Sequence, residues 1–121
     1  LVKMEIIIYH NPRCSKSRNA ISILNKLNIN YKVINYIKDG LLIKDLDNIL
    51  EKLNIDIIEI VRVNEEIWKK KYRNKNLDTK EIKKIIIDHP KILQRPIIIK
   101  GKSAAIARSN QDVMKILSYK N

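Results

Sequence analysis

The sequence predicts an α/β fold in which a strand–helix–strand unit and a strand–strand–helix unit share one mixed sheet, with a helical insertion between them. Three observations carry this. "MEIIIYH" (4–10) is a β-branched run too short for a helix, closed by an Asn-Pro turn signal and followed by a helically spaced segment. The middle of the chain, about residues 43–90, repeats apolar residues at helical spacing. The last third holds two apolar runs, "PIIIKGKSAAIA" (96–107), joined around Lys100-Gly101-Lys102 as in a hairpin.

From Ser15 to Asn28, the residues Ala20, Ile21, Ile23, Leu24 and Leu27 form one apolar helix face. "YKVINY" (31–36) alternates Tyr31, Val33 and Asn35 against Lys32, Ile34 and Tyr36, a second strand reached across Asn28-Ile29-Asn30. The right-handed crossover rule makes these two strands parallel. Leu46, Ile49, Leu50 and Leu53, at i, i+3, i+4 and i+7 after Asp39-Gly40, place a helix over 43–54. "DIIEIVRVN" (56–64) and "EEIWKKKY" (65–72) read as short helical turns. In "DTKEIKKIIIDHP", Asp78 stands three residues before Glu81 in a capping-box arrangement, and the helix stops before Pro90. "NQDVMKILSY" (110–119) is a closing helix with Asn110 as expected N-cap. The order βαβ, helices, ββα is thioredoxin-like, and residues 4–119 are expected to form one domain. Pro96 stands where that topology holds a cis proline beside the active thiol, at a cost of about 0.5–1 kcal/mol over trans.

With 121 residues the chain fits a single domain. It has no apolar run of membrane-spanning length and no signal-peptide pattern, so no membrane association is expected. One cysteine excludes an internal disulfide, which points to the cytoplasm, where thiols stay reduced. The net charge of +12 would ordinarily suggest a polyanionic partner. The chain is rich in Lys, Ile and Asn throughout, however, and its densest basic stretch, "WKKKYRNKNLDTKEIKK" (68–84), interleaves Asp and Glu. That stretch reads as a solvated face, and nucleic acid is not the expected partner. His10 and His89 with a single Cys have no zinc-like spacing, so no metal site is expected.

Cys14 lies at the predicted strand-to-helix turn. A thiol that attacks near neutral pH needs about 1.4–4 kcal/mol of preferential thiolate stabilisation. A helix N-terminus contributes about 0.3–1 kcal/mol, so further donors or cations are required. His10, Asn11, Arg13, Ser17 and Arg18 are all near in sequence. Ser17, three residues after Cys14, is positioned to donate its hydroxyl back to the sulfur in a Cys-x-x-Ser arrangement. Such a thiol can attack, but no second cysteine in this chain can resolve the adduct. A buried spacer cysteine is the bland alternative, and it fits poorly with a polar, proline-containing loop that carries two arginines.

"YHNPRCSKSRNA" (9–20), "IVRVN" (60–64), "HPKILQRPIII" (89–99) and the arginine of "AAIARSN" (104–110) together resemble the glutaredoxin-coupled arsenate reductase (ArsC) family, from Met4 to about Leu117. The resemblance implies a thioredoxin-like domain with a helical insertion and a reaction that reduces arsenate to arsenite. It implies Cys14 as nucleophile, with His10 and Ser17 tuning the thiolate. Arg62, Arg95 and Arg108 match the arginines that hold the oxyanion, a task for which planar guanidinium forks suit better than lysine. Asn11, Arg18 and Pro96 fall in the supporting loops. No bound cofactor is implied; glutathione and glutaredoxin serve as co-substrates, and a monomer is expected. Ser15-Lys16 stand where resistance-type reductases carry Gly and Thr, and Ser109 where Pro is usual. This "CSKS" form resembles the shorter, chromosomal branch of the family. Two other readings share the architecture: a monothiol oxidoreductase acting on glutathione mixed disulfides, and an RNA-polymerase-binding regulator like the Spx group. Many members of that group carry Cys-x-x-Cys at this place.

Overall fold

The structure is a computed structural model that describes residues 4–119. These fall into two compact units, one built from the two ends of the chain and one spanning Gly40–Gln94.

The first unit holds a four-stranded mixed sheet of order β2-β1-β3-β4. Strand β1 (Ile6–Tyr9) pairs in parallel with β2 (Lys32–Ile34) and antiparallel with β3 (Ile97–Lys100), which pairs antiparallel with β4 (Ser103–Ile106). Helix α1 (Ser15–Lys26) links β1 to β2, and α6 (Asn110–Leu117) follows β4. The predicted thioredoxin-like arrangement is therefore present. Alternation along the strands sends Ile6, Ile8 and Ile98 into one core with Ala20 and Leu24 of α1 and Val113 and Ile116 of α6. Each of these isoleucines contributes about 1.5–3 kcal/mol by leaving water. The hairpin between β3 and β4 turns on Gly101, whose φ of 58° is open to glycine without strain.

The second unit contains α3 (Ile43–Leu53), α4 (Glu66–Lys71) and α5 (Thr79–Asp88), with short 3-10 turns at Ile57–Ile60 and Pro90–Ile92. Its buried side chains include Leu46, Ile49, Ile60, Trp68, Ile86, Ile92 and Leu93. Lys83 on α5 pairs with Asp47 on α3 at 2.5 Å. The capping box is formed as read: Asp78 Oδ1 accepts from the Glu81 N–H at 2.8 Å, and Glu81 Oε1 accepts from the Asp78 N–H at 3.1 Å.

Three elements differ from expectation, each for a visible reason. The second strand stops at Ile34, because Asn35 caps a short helix, α2 (Tyr36–Asp39), by accepting from the Lys38 N–H. Residues 61–64 are not helical. Val61 bridges Leu93, the Arg62 N–H donates to the Ile92 carbonyl and the Gln94 N–H to the Ile60 carbonyl, so this backbone is committed to a neighbouring segment. The cap of α6 is Ser109, whose Oγ accepts from the Asp112 N–H; Asn110 accepts instead from the Asn19 side chain.

Candidate active site

Strand order places the residues of interest at one end of the sheet. The rung Tyr9–Ile97–Ile106 crosses β1, β3 and β4, and is extended on one side by the Ala107 N–H donating to the Pro96 carbonyl. On the other side the His10 N–H donates to the Ile34 carbonyl. The His10–Cys14 loop, Arg95-Pro96 and Ala107-Arg108 therefore all leave the sheet at the same end. The Arg95–Pro96 peptide is cis, as the topology predicts.

Asn11 organises the loop. It is buried, its carbonyl accepts from the Cys14 N–H at 3.0 Å, and its side-chain oxygen accepts from the Arg13 N–H at 3.0 Å. Its own N–H donates to Ser17 Oγ at 3.2 Å. Arg18 reaches back from α1 to donate to the Pro12 carbonyl at 2.9 Å. The loop is thus tied to the first two turns of α1 at two points. Asn11 was legible only as a loop residue, although an Asn whose side chain bonds its own backbone two residues on is a common turn device.

Cys14 is the N-cap of α1, with extended backbone angles and a half-buried thiol. It forms no capping hydrogen bond of full geometry, yet its surroundings favour the thiolate. Burial by itself raises the Cys14 pKa. That effect is outweighed by the Ser17 N–H, the hydrogen-bonding Arg95 side chain, the Lys16 N–H and the Arg95 charge, and the net pKa is lowered. The donors come from the second and third positions of the helix, where orphan N–H groups converge on a capping atom.

The expected contributors separate accordingly. Arg95, expected only as an oxyanion ligand, acts on the sulfur. Ser17 does so through its backbone; its fully buried hydroxyl is the acceptor that fixes Asn11, a different contact from the sulfur-directed bond read from spacing. His10 is half-buried, and burial first, then the Arg18 charge, lower its pKa, which favours the neutral ring. Its Nδ1 is buried without a hydrogen-bond partner among the described residues. Arg108 is half-buried at the entry to α6, its N–H donating to Asp112 Oδ2 at 3.2 Å. Arg62 belongs to the second unit, where its side chain pairs with Glu65 at 3.5 Å beside the Val61–Leu93 bridge.

Among the described residues no group of three His, Cys, Asp or Glu side chains could hold a metal ion, and no helix is long and apolar enough to cross a membrane. A cavity of about 880 Å³, lined by residues including Met4, Tyr31, Lys100 and Tyr119, opens at the start of β1, the end of the sheet away from Cys14, and contains no nucleophilic thiol.

A model described as the ArsC family matches residues 9–116. The arsenate reductase of Haemophilus influenzae is 35% identical over 116 residues, spanning 94% of this chain and 100% of that protein. The arsenate reductase of Neisseria meningitidis serogroup A is 36% identical over 115 residues, spanning 93% and 98%. The solved arsenate reductase from Vibrio cholerae superposes with a TM-score of 0.83 at 27% identity, covering 96% of this chain and 98% of its own. With the sheet order, the capping thiol and the arginine before the cis proline in place, the chain belongs to the ArsC family.

Proposed function

We propose that this protein is an arsenate reductase that works through a Cys14 thiolate and an external thiol. The single observation that carries the reading is the Cys14 sulfur at the head of α1, its pKa lowered against burial by two helix N–H groups and the Arg95 fork, in a chain with no other cysteine. The thiolate attacks the arsenic of arsenate, and one arsenate oxygen departs as water after protonation, leaving a cysteine–arsenic(V) bond. A dianionic tetrahedral substrate approaching a thiolate needs cations to offset repulsion. Arg95 supplies one at the sulfur, and Arg108, in the same unit, is assigned the remaining oxygens. Glutathione sulfur then bonds to the arsenic and displaces a second oxygen as water. The glutaredoxin thiolate attacks the glutathione sulfur, forming the glutaredoxin–glutathione disulfide and leaving the sulfur–arsenic electron pair on arsenic, which becomes arsenic(III). Water then displaces the Cys14 sulfur from arsenic(III), so that arsenite departs and Cys14 returns as a thiolate. Asn11, Arg18 and Pro96 support the loops, and His10 and Ser17 are assigned to tuning the thiolate, Ser17 through its backbone N–H. On this reading the protein is a cytoplasmic monomer with no bound cofactor, with glutathione and glutaredoxin as co-substrates.

The test is NADPH consumption coupled through glutathione reductase, with arsenate, glutathione and glutaredoxin present. Arsenate-dependent consumption that vanishes in Cys14→Ser is expected. Consumption no greater than that of Cys14→Ser overturns the assignment.

A further inference from the structure

The basic excess of this chain is unevenly distributed. The sheet-bearing unit, Leu1–Asp39 with Arg95–Asn121, holds 13 Lys and Arg against 3 Asp and Glu, whereas Gly40–Gln94 holds 12 against 10. No carboxylate occurs between Glu5 and Asp39, or between Asp88 and Asp112, the two stretches that supply the end of the sheet carrying Cys14. In the second unit Lys69 and Lys70 pair with Glu66, Lys83 with Asp47 and Lys84 with Asp88. Beside the thiol the situation is reversed. Arg13 and Lys16 are exposed, one residue before and two after Cys14, and neither side chain has an acidic partner among the described residues. Arg18 is exposed as well, with one guanidinium nitrogen on the Pro12 carbonyl.

These cations sit against local physics. A lysine in the first turn faces the positive end of the helix dipole, and α1 has no acidic residue there to offset it. The reason for them lies outside the helix. A small oxyanion does not supply it, because fork donors at half-buried positions such as Arg95 suit that task. Solvated charges act instead over about a Debye length, ~8 Å at physiological salt, and steer large partners of opposite sign.

We propose that Arg13, Lys16 and Arg18 form a cationic collar that docks an acidic thiol protein, which removes the sulfur-linked group from Cys14. This deepens the reading of Cys14 as a thiol that an outside protein must release, and rests on it. A nucleic acid fits the collar less well. Trp68, the tryptophan of the basic run 68–84, is buried and has no face for a base to stack on, and four of the seven lysines of that run, Lys69, Lys70, Lys83 and Lys84, are ion-paired.

The test omits arsenate, so its result is separate from that of the reductase assay. Cys14 is converted to its mixed disulfide with glutathione. The thiolate of an acidic glutaredoxin attacks the glutathione sulfur, releasing Cys14 as thiolate and forming the glutaredoxin–glutathione disulfide, with no net electron transfer. The same exchange is run with neutral dithiothreitol. Raising NaCl from 20 to 500 mM should slow the glutaredoxin reaction by about tenfold or more, within the range of electrostatic steering, and should slow the dithiothreitol reaction much less. Arg13→Gln/Lys16→Gln should lower the ratio of the two rates by about tenfold at 20 mM NaCl. Equal salt dependence for both thiols, or an unchanged ratio in the double variant, overturns the proposal. So does binding of a 20-base-pair DNA duplex at 100 mM NaCl that the same two substitutions abolish, since the collar would then serve nucleic acid.

Discussion

Ser17→Ala separates two roles that one hydroxyl could play. In the structure Ser17 is fully buried and its Oγ accepts from the N–H of Asn11, itself 5% exposed. Removing the acceptor leaves a backbone donor buried with no partner, a penalty of about 1–3 kcal/mol, where an ordinary hydrogen bond nets about 1 kcal/mol. With a urea slope of about 1–3 kcal/mol/M for a small protein, the unfolding midpoint should fall by roughly 1 M. The thiolate should be affected far less, because Ser17 acts on the sulfur through its backbone N–H, which alanine keeps. The two readouts are urea unfolding followed by circular dichroism and the pH dependence of iodoacetamide alkylation at Cys14. A lowered midpoint with an alkylation profile still displaced below that of a free thiol is expected. An unchanged urea midpoint together with an alkylation profile restored to the free-thiol range would refute the reasoning and return the hydroxyl to the sulfur.

Two further predictions concern the charged groups. Arg95→Lys should reduce arsenate-dependent turnover by about tenfold or more, equivalent to roughly 1.4 kcal/mol of transition-state stabilisation, because a fork that hydrogen-bonds the sulfur becomes a point charge; the exposed control Lys26→Arg should stay within twofold, and equal losses in the two would remove the special role of Arg95. His10 has its pKa lowered in the fold, first by burial and then by Arg18, so the unfolded chain binds the proton more tightly. Stability linked to this group should be complete above its ordinary value of 6.5 and should decline as pH falls from there toward the lowered value. Urea midpoints measured between pH 5 and 7.5 should show this slope in the wild type and a shallower one in His10→Gln; parallel slopes would contradict it.

The order of elements along the chain, the hairpin at Gly101, the Asp78–Glu81 capping box and the cis Pro96 were legible because each depends on a pattern with few alternatives. The elements that differ were decided by pairings that periodicity does not encode. Residues 61–64 look helical by composition, yet their backbone bonds are taken by 92–94, some thirty residues away. Asn35 ends a strand whose alternation continues to Tyr36, because its side chain competes for the next turn. At the site, the place of Cys14 at a helix start was legible from residue type and position, whereas Arg95 came only from the family resemblance, as an oxyanion ligand, and its hydrogen bond to the sulfur emerges only when the two segments fold together. The division of labour at Ser17 was not, since spacing gives reach but not which of two groups points at the sulfur. Asn11 was named for its position, while its burial and three bonds emerge only when the loop is folded.

Asn11 and Ser17 also bear on how this loop tolerates change. They brace it from both sides of Cys14, while the Lys16 backbone N–H is all that the intervening pair contributes to the sulfur. Both Ser15 and Lys16 are exposed. Their side chains can therefore be exchanged during evolution while the thiol keeps its position, so the two residues before Ser17 form an interchangeable rim on a fixed socket. A lineage could adjust which partners approach by altering that rim and leave the chemistry at the sulfur as it is.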